Sequence, residues 1–283
     1  MDTPLTEYLQ ICESIARQSG AILVDYIGRF HVREKGRADL VTEADYASQE
    51  NVVRTLAKIF PTHQILGEEQ MPETLAQDSK GGYRWIVDPL DGTTNYVHGV
   101  PHFCVSLAME YDGQLQVATI YAPLVDECYT AMRGGGAFLN GRPIHVSDAA
   151  QMSQSLVAIG FPPGAGWDSP DFLGFLNVMS CCQAIRRSGS TALNMAYVAA
   201  GRYDAAWNFH TNAWDMAAGA LLVEEAGGTL RRTDGTPFDV NRNAFLATAT
   251  EPLFEECCHR INDLDALQQT FRSTPWFREC PNT

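Results

Sequence analysis

The sequence predicts a mixed α+β fold in the first half of the chain and an alternating α/β fold in the second half. Apolar residues recur at helical spacing over residues 3–28, which predicts a long amphipathic helix. The β-rich runs 103–111 and 114–122 are separated by Asp112-Gly113, a strong hairpin signal. From about Val146, short β-rich runs alternate with helical runs, as they do in α/β proteins.

The remaining N-terminal elements follow from helix caps and turn residues. Thr42 and Asp45 have capping-box spacing before a helical run that Pro61 ends. The three consecutive glycines at 134–136 lack the Lys-Ser/Thr of a P-loop, so they predict a bend between strands. The polar segment 70–83 predicts a surface loop. The other predicted strands of this half are 64–66, 85–88, 127–133 and 137–139.

We expect the chain to form two lobes, an α+β lobe of residues 1–145 and an α/β lobe of residues 146–283. The two lobes are expected to pack together as one compact unit. The predicted strands are 156–161, 184–187, 204–207, 229–232 and 245–250, and the predicted helices are 172–179, 193–200, 216–226 and 252–261.

Charge and cysteine content exclude several classes of function. The net charge of −14 argues against nucleic acid as a main ligand, because duplex binding depends on clustered Lys and Arg. The 8 cysteines include no C-x-x-C pair, which favours a reduced, cytoplasmic protein over a zinc or disulfide scaffold. The N-terminus lacks a signal-like run, and no segment approaches the length of a membrane span, so we expect no membrane association.

One stretch carries most of the chemistry: Trp85-Ile86-Val87-Asp88-Pro89-Leu90-Asp91-Gly92-Thr93-Thr94-Asn95-Tyr96. Its apolar start predicts a buried strand that Pro89 stops, and Thr93 or Thr94 is suited to cap a short helix. The carboxylates of Asp88 and Asp91 would then form an oxygen-rich corner, which suits a hard divalent cation such as Mg²⁺. The alternative is a strand end followed by an ordinary Asp-Gly turn.

The dodecamer resembles the first signature of the inositol monophosphatase family, W-x-V-D-P-L-D-G-T-T-N-F, with Tyr96 in place of Phe. The segment Trp214-Asp215 and the residues after it resemble the second signature of that family. Gly67-Glu68-Glu69 matches a G-E-E element, and the segment 35–45 matches K-x-x-x-D-L-V-T-x-x-D. The resemblance covers nearly the whole chain and implies a layered αβαβα sandwich, also found in fructose-1,6-bisphosphatases.

The resemblance implies roles for individual residues. Glu68, Asp88 and the Leu90 carbonyl would hold one Mg²⁺, and Asp88, Asp91 and Asp215 a second. Asp45 would help to hold a third, so two or three ions are expected per subunit, with Mn²⁺ as an alternative. The capping-box spacings of Thr42–Asp45 and Asn212–Asp215 leave a helix cap as the alternative for both aspartates. For Glu69, a solvated surface residue is expected.

The implied reaction is hydrolysis of a phosphate monoester by direct attack of a metal-activated water. Glu68 and Thr93 would orient that water, Asp91 would take part in the metal centre, and Asp215 would support the departing alkoxide. The backbone N–H groups of Gly92 and Thr93 would bind the phosphate. Residues expected to contact the substrate are Asp91, Gly92, Thr93, Gly189, Ser190, Thr191, Asn208 and Asp215.

The substrate remains open at this point. Asn208 stands where well-studied inositol phosphatases carry an acidic residue, and Thr191 replaces a usual Ala, which would narrow the pocket. Myo-inositol monophosphate is the first candidate, and histidinol phosphate or another sugar or nucleotide phosphate is the alternative. A different class is a binding partner in transcription or ribosome maturation with vestigial catalysis. The family also leads us to expect a lithium-sensitive homodimer that acts on a small phosphorylated substrate.

Overall fold

Two β-sheets with a pair of helices between them organise the structure. The computed structural model describes residues 3–36, 39–69, 82–162, 165–166 and 169–263. In chain order the elements are α1 (Leu5–Tyr26), β1 (Val32–Gly36), β2 (Asp39–Thr42), α2 (Glu43–Ile59), β3 (Gln64–Gly67), β4 (Tyr83–Asp91), α3 (Thr93–Val97), β5 (Cys104–Tyr111), β6 (Gln114–Ala122), β7 (Glu127–Met132), β8 (Gly136–Leu139), β9 (Arg142–Ile144), β10 (Leu156–Ile159), α4 (Pro170–Met179), β11 (Ala184–Arg186), α5 (Thr191–Ala199), β12 (Ala205–Asn208), α6 (Ala213–Glu225), β13 (Thr229–Arg231), β14 (Phe245–Thr248) and α7 (Glu251–Asn262).

The first sheet has the strand order β3-β4-β5-β6-β7-β8-β9, and only its β3–β4 pair is parallel. Tight turns set the register of its hairpins. Asp112 and Gly113 both have positive φ, 50° and 80°, as a two-residue hairpin turn requires. Asn140 and Gly141 repeat this pattern between β8 and β9. The predicted hairpin over β5 and β6 is therefore confirmed, with strand ends within one residue of the prediction.

The second sheet has the order β11-β10-β12-β14-β13. Strand β10 runs parallel to β11 and β12, whereas β14 is antiparallel to both β12 and β13. The change from one sheet to the other falls between β9 and β10. The division of the chain into lobes 1–145 and 146–283 stays a prediction.

Helices and sheets alternate as five layers. Helices α1 and α2 pack on one face of the first sheet, α5 and α6 lie between the sheets, and α4 and α7 cover the outer face of the second sheet. Three clusters of buried apolar side chains fill the spaces between these layers. The layered αβαβα sandwich is thus confirmed. Within the described ranges, no helix combines the length and apolar character that crossing a bilayer requires.

The main local error of the sequence analysis concerns Pro89. Strand β4 does not stop there but continues to Asp91. Asp88 is paired with Ser106 and Asp91 with Cys104, so β4 has one residue more than β5 over this interval. This bulge takes Pro89 out of the regular ladder, where its missing N–H would be costly.

Other differences are smaller. Neither Thr93 nor Thr94 caps α3; the N-cap is Gly92, and Thr93 is the first helical residue. Strands β1, β2 and β9 were not predicted, and α6 begins three residues before the predicted start at Met216. Most of the predicted loop 70–83, the residues 37–38 and the tail after 268 lie outside the described residues.

Candidate active site

The β4–α3 corner is shaped by Gly92. This residue has φ +95°, in the left-handed region, and turns the chain from the end of β4 into α3. A Cβ atom at this position would lie 3.0 Å from the His102 carbonyl oxygen and 3.2 Å from the Phe103 Cβ. Both the dihedral angle and the close approach therefore require glycine.

The structure brings Asp88 together with the other predicted acidic ligands. Burial and the negative charges of Glu68, Asp91 and Asp215 raise the pKa of Asp88 well above its usual value. Glu68 follows β3, and its backbone N–H donates to the Val87 carbonyl at 3.2 Å, which places it beside the end of β4. Residues that are distant in sequence thus meet at one acidic corner, made of Glu68, Asp88, Asp91 and Asp215.

Asp91 accepts hydrogen bonds from the start of α5. Ser190 Oγ donates to Asp91 Oδ2 at 2.6 Å, and the Ala192 N–H donates to the same oxygen at 2.7 Å. The Thr191 N–H lies 3.3 Å from Asp91 Oδ1. Burial and the charge of Asp215 raise the pKa of Asp91 to about 7, although these hydrogen bonds favour the charged form. The N-terminus of α5 thus helps to hold a carboxylate at this point.

Asp215 lies in the first turn of α6. Its Oδ2 accepts from Thr211 Oγ1 and from the Asn212 N–H, both at 2.8 Å. The side chains of Asp88 and Asp215 also share a hydrogen bond. Burial raises the pKa of Asp215. The cap alternative is therefore present geometrically, and it uses one oxygen of a carboxylate that also contacts Asp88.

Asp45 likewise combines a cap with proximity to the corner. Its Oδ2 accepts from the N–H and the hydroxyl of Thr42, at 2.8 and 2.7 Å, which completes the capping box of α2. Thr93 Oγ1 lies 3.3 Å from Asp45 Oδ1 and 3.1 Å from the Leu90 carbonyl oxygen. Burial is the main cause that raises the pKa of Asp45 to about 6. Thr93 and Leu90 therefore link Asp45 to the acidic corner.

Glu69 is not the solvated residue that the sequence suggested. It is buried, with 4% of its surface exposed. Gln49 holds its backbone from both sides: Gln49 Oε1 accepts the Glu69 N–H at 3.0 Å, and Gln49 Nε2 donates to the Glu69 carbonyl at 2.8 Å. The sequence pattern of two adjacent glutamates wrongly indicated a solvated surface pair. A tertiary contact from Gln49 in α2 instead buries Glu69 and fixes the segment that carries Glu68.

The corner fits a hard divalent cation in its chemistry. Several buried carboxylates repel one another, and a cation would turn that repulsion into attraction. As placed, however, the side chains hydrogen-bond to one another and to nearby donors. In the described part of the chain, no group of three or more His, Cys, Asp or Glu side chains is already positioned to coordinate a metal ion. A bound ion would therefore require these carboxylates to exchange hydrogen bonds for coordination.

A cavity of about 560 Å³ adjoins Asp91. Its wall includes the predicted contacts Gly189, Ser190, Thr191 and Asn208, whereas Glu68, Asp88 and Asp215 are not part of it. A larger cavity of about 740 Å³, near Arg133 and Arg232, contains none of the predicted site residues. Of the two cavities, the smaller one reaches the acidic corner, through Asp91.

Asn95 is a site residue that the sequence analysis missed. Its Nδ2 donates to the His102 carbonyl at 2.7 Å and to the Ser188 carbonyl at 2.8 Å. Gly189 has φ +86°, and a Cβ there would lie 3.0 Å from Asn95 Nδ2. Asn95 thus joins the β4–α3 corner to the loop that lines the cavity. Its only sequence signal was its place within the dodecamer.

Comparisons with known proteins point to one family. The model of the inositol monophosphatase family matches residues 5–266. Nus factor SuhB of Pseudomonas aeruginosa is 44% identical over 250 residues, which cover 86% of this chain and 92% of that protein. Inositol-1-monophosphatase of Rhizobium meliloti is 42% identical over 224 residues, or 79% and 81% of the two chains. The solved structure of inositol monophosphatase from Anabaena superposes with a TM-score of 0.82 at 36% identity, covering 94% of this chain and all of that one (100%).

Two further solved structures bear on metals. Staphylococcal inositol monophosphatase-1, soaked in 100 mM LiCl as an inhibitory complex, has a TM-score of 0.83 at 25% identity and covers 94% of this chain and 98% of that one. An IMPase/NADP phosphatase complexed with Mg²⁺ and phosphate has a TM-score of 0.81 at 25% identity, with 92% and 96% covered. Structures that resemble this chain therefore include complexes with Mg²⁺ and with lithium.

Proposed function

Because the chain belongs to the inositol monophosphatase family, we propose that it is a Mg²⁺-dependent phosphatase whose substrate is myo-inositol monophosphate. The observation that carries this proposal is the meeting of Glu68, Asp88, Asp91 and Asp215 beside a cavity that suits a small ester. The reaction would release inositol and phosphate by direct attack of water, without a phosphoenzyme. Cysteine and serine nucleophiles are not needed for it.

We propose that Glu68, Asp88 and the Leu90 carbonyl hold one ion, and that Asp88, Asp91 and Asp215 hold a second. Asp45 would contribute to a third, with Mn²⁺ as an alternative metal. Bound Mg²⁺ supplies positive charge that attracts the phosphate and Lewis acidity that makes water a better nucleophile. The Mg²⁺ and lithium complexes of related structures support the choice of metal and the expected lithium sensitivity.

The chain's own groups would bind and orient the reactants. Gly92 and Thr93 open α3, where the first backbone N–H groups have no partner within the helix, so they can donate to the phosphate. The Thr93 hydroxyl lies between Asp45 and the Leu90 carbonyl. The Glu68 carboxylate can accept a proton from the attacking water, and the Thr93 hydroxyl can accept a hydrogen bond from that water and so hold it in position. Asp215 would stabilise the departing oxygen.

The test is phosphate release from myo-inositol 1-phosphate with and without Mg²⁺. We expect turnover only with the metal, and greater turnover than with histidinol phosphate at the same Mg²⁺ concentration. Preference for histidinol phosphate would replace the first substrate by the alternative, which uses the same site. Absence of phosphate release from every small ester of a panel would reject the catalytic proposal.

A second candidate rests on the relative named Nus factor SuhB. We propose a binding role in transcription or ribosome maturation as the rival function, with catalysis vestigial. Asp91→Asn should abolish turnover. If that variant fully restored a phenotype caused by deleting the protein, the binding role would be the physiological one. We also propose a homodimer, as the family resemblance implies. A cytoplasmic location is supported by the seven free cysteines among the described residues, because free thiols are typical of a reducing compartment.

A further inference from the structure

Asp171 is a buried carboxylate outside the acidic corner. It lies in the first turn of α4, after the N-cap Ser169, and only 1% of its surface is exposed. Its Oδ1 accepts the Phe209 N–H at 3.4 Å, and its Oδ2 lies 3.3 Å from His210 Nδ1. Because a carboxylate only accepts hydrogen bonds, Nδ1 carries the hydrogen in this pair. Both oxygens of Asp171 therefore bind the segment that follows β12.

The segment 209–212 connects two parts of the candidate site. Before it, Asn208 ends β12 and lines the smaller cavity. At its end, Thr211 Oγ1 and the Asn212 N–H both donate to Asp215 Oδ2 at 2.8 Å. The position of this short segment therefore determines where the Asp215 carboxylate lies relative to the cavity.

The segment is held from two sides. On one side, the Thr211 N–H donates to the Asn243 carbonyl at 2.8 Å. On the other side, the Phe209 ring packs against α4, where a Cβ atom at Gly174 would lie 3.4 Å from Phe209 Cε2. An apolar contact of this kind has no preferred direction. The two hydrogen bonds to Asp171 are directional, so they define a single position of the segment relative to α4.

From this arrangement we propose that Asp171 is a positioning residue for the phosphatase reaction, because it holds the segment 209–212 so that Asp215 is in place to bind Mg²⁺. The inference rests on the proposed function and adds a residue to it. Asp171 is not part of the cavity wall, so it acts through this segment and not on the substrate. Residues that orient metal ligands in this way affect metal affinity without touching the ion.

The test is the Mg²⁺ requirement, which a residue of purely structural importance would not change. In Asp171→Ala, the Mg²⁺ concentration for half-maximal turnover of myo-inositol 1-phosphate should rise about 10-fold, as for other outer partners of metal ligands. Asp171→Asn should recover most of this loss. Its amide oxygen can accept the Phe209 N–H, and its Nδ2 can donate to the other tautomer of His210. An unchanged Mg²⁺ requirement in Asp171→Ala would overturn the proposal.

Asp204 provides the matched control, because it lies at the end of β12 opposite to Asn208. Its Oδ2 accepts the Leu156 N–H at 2.7 Å, and its Oδ1 accepts from Ser147 Oγ at 2.5 Å. Asp204→Ala should therefore destabilise the fold as Asp171→Ala does and leave the Mg²⁺ requirement unchanged. An equal rise in both variants would contradict the positioning role.

A second variant keeps the test decisive if Asp171→Ala does not fold. His210→Ala removes one of the two bonds to Asp171 from a side chain that is 59% exposed. We expect it to raise the Mg²⁺ requirement by about 3- to 5-fold, as for one lost hydrogen bond. No rise in this variant would likewise reject the positioning role.

Failure of catalysis is separable from failure of the positioning role. The rise in Tm on adding Mg²⁺ without substrate reports ion binding and needs no turnover. If no ester is hydrolysed but this rise is reduced in Asp171→Ala and restored in Asp171→Asn, the phosphatase proposal fails and the positioning role stands. If esters are hydrolysed and the rise is the same in all variants, the positioning role fails alone. If Mg²⁺ raises the Tm of none of the proteins, both fail.

Discussion

Ser190 Oγ lies 2.6 Å from Asp91 Oδ2, although the two residues are 99 positions apart in the chain. The same hydroxyl accepts the Leu193 N–H at 3.1 Å as the N-cap of α5. One side chain thus starts a helix and orients a proposed metal ligand. Because both partners are buried, the contact fixes Asp91 relative to the wall of the cavity.

We predict that Ser190→Ala lowers both stability and turnover. Loss of a cap and of a charge-assisted hydrogen bond should reduce the free energy of unfolding by about 1–3 kcal/mol. Turnover of inositol 1-phosphate should fall by roughly tenfold, because Asp91 loses its strongest oriented donor. Urea denaturation and steady-state kinetics measure the two effects.

Thr250→Ala provides the control for Ser190→Ala. Thr250 caps α7 through the Leu253 N–H, on the far side of the second sheet. It should cost similar stability and leave kcat unchanged. If both variants reduced kcat to the same extent, Ser190 would act only through the fold.

Asn95→Asp should separate the two loops that Asn95 joins. The carboxylate cannot donate to the His102 and Ser188 carbonyls, and it brings negative charge next to two acceptors. We expect a loss of about 2–4 kcal/mol in the free energy of unfolding and a raised KM, because the cavity wall is no longer held to α3. Chemical denaturation and kinetics at saturating Mg²⁺ measure these changes.

The matched control is Asn241→Asp. Here the shorter contact is at the side-chain oxygen, since Arg84 donates to Asn241 Oδ1 at 3.0 Å, whereas Asn241 Nδ2 donates only an exposed hydrogen bond to Asp239 Oδ1, at 3.3 Å. The exchange keeps an acceptor for a guanidinium, so stability should change by less than about 0.5 kcal/mol. Equal effects of the two Asn→Asp changes would show that charge alone, and not the lost donor of Asn95, was responsible.

Gly92→Ala and Gly113→Ala form a second matched pair. Both glycines have positive φ, but only Gly92 would place its Cβ against backbone, 3.0 Å from the His102 oxygen. Gly113→Ala should cost about 1–2 kcal/mol for the left-handed conformation. Gly92→Ala should cost more, and it should also abolish turnover by shifting Thr93. Thermal unfolding and phosphate release test this; equal costs would remove the argument from close approach.

The elements of the fold were predictable because their signals are local. Helical spacing predicted α1, and Asp112-Gly113 predicted the hairpin, since each depends on neighbouring residues only. The predicted end of β4 at Pro89 was wrong because the rule for proline considers only the local sequence and not the pairing with β5. A proline ends a regular ladder, yet a one-residue bulge set by pairing with β5 lets the strand continue.

The sequence predicted which acidic residues belong to the candidate site, but it did not predict the hydrogen bonds that these residues make. The acidic residues were found from motif chemistry, but their hydrogen bonds depend on how two sheets pack. The expected substrate contact of Ser190 stays a prediction, and its hydroxyl also donates to Asp91, which the sequence did not indicate. For Asp45 and Asp215, cap and ligand were treated as alternatives. The structure shows that the cap uses one oxygen of each carboxylate, so a cap signal does not argue against a ligand.

The last prediction concerns the metal-free protein, in which the acidic corner should make stability fall as pH rises. The pKa of Asp91 is raised to about 7 and that of Asp45 to about 6. In the unfolded chain an aspartate has a pKa of about 3.9. Between about pH 4 and pH 7 the folded state therefore binds more protons than the unfolded state, and the free energy of unfolding decreases with pH.

In the presence of a metal chelator, we expect the free energy of unfolding to decrease by roughly 2–4 kcal/mol between pH 5 and pH 8, given pKa shifts of this size. Mg²⁺ should restore stability mainly at pH 8, where the carboxylates are charged. Asp91→Asn should flatten the chelated profile and weaken the response to Mg²⁺, because it removes one titrating charge while an amide oxygen can still accept from Ser190. Urea titrations at the two pH values measure this. A chelated protein that is more stable at pH 8 than at pH 5, with the same slope in Asp91→Asn, would show that the corner carries no such electrostatic strain.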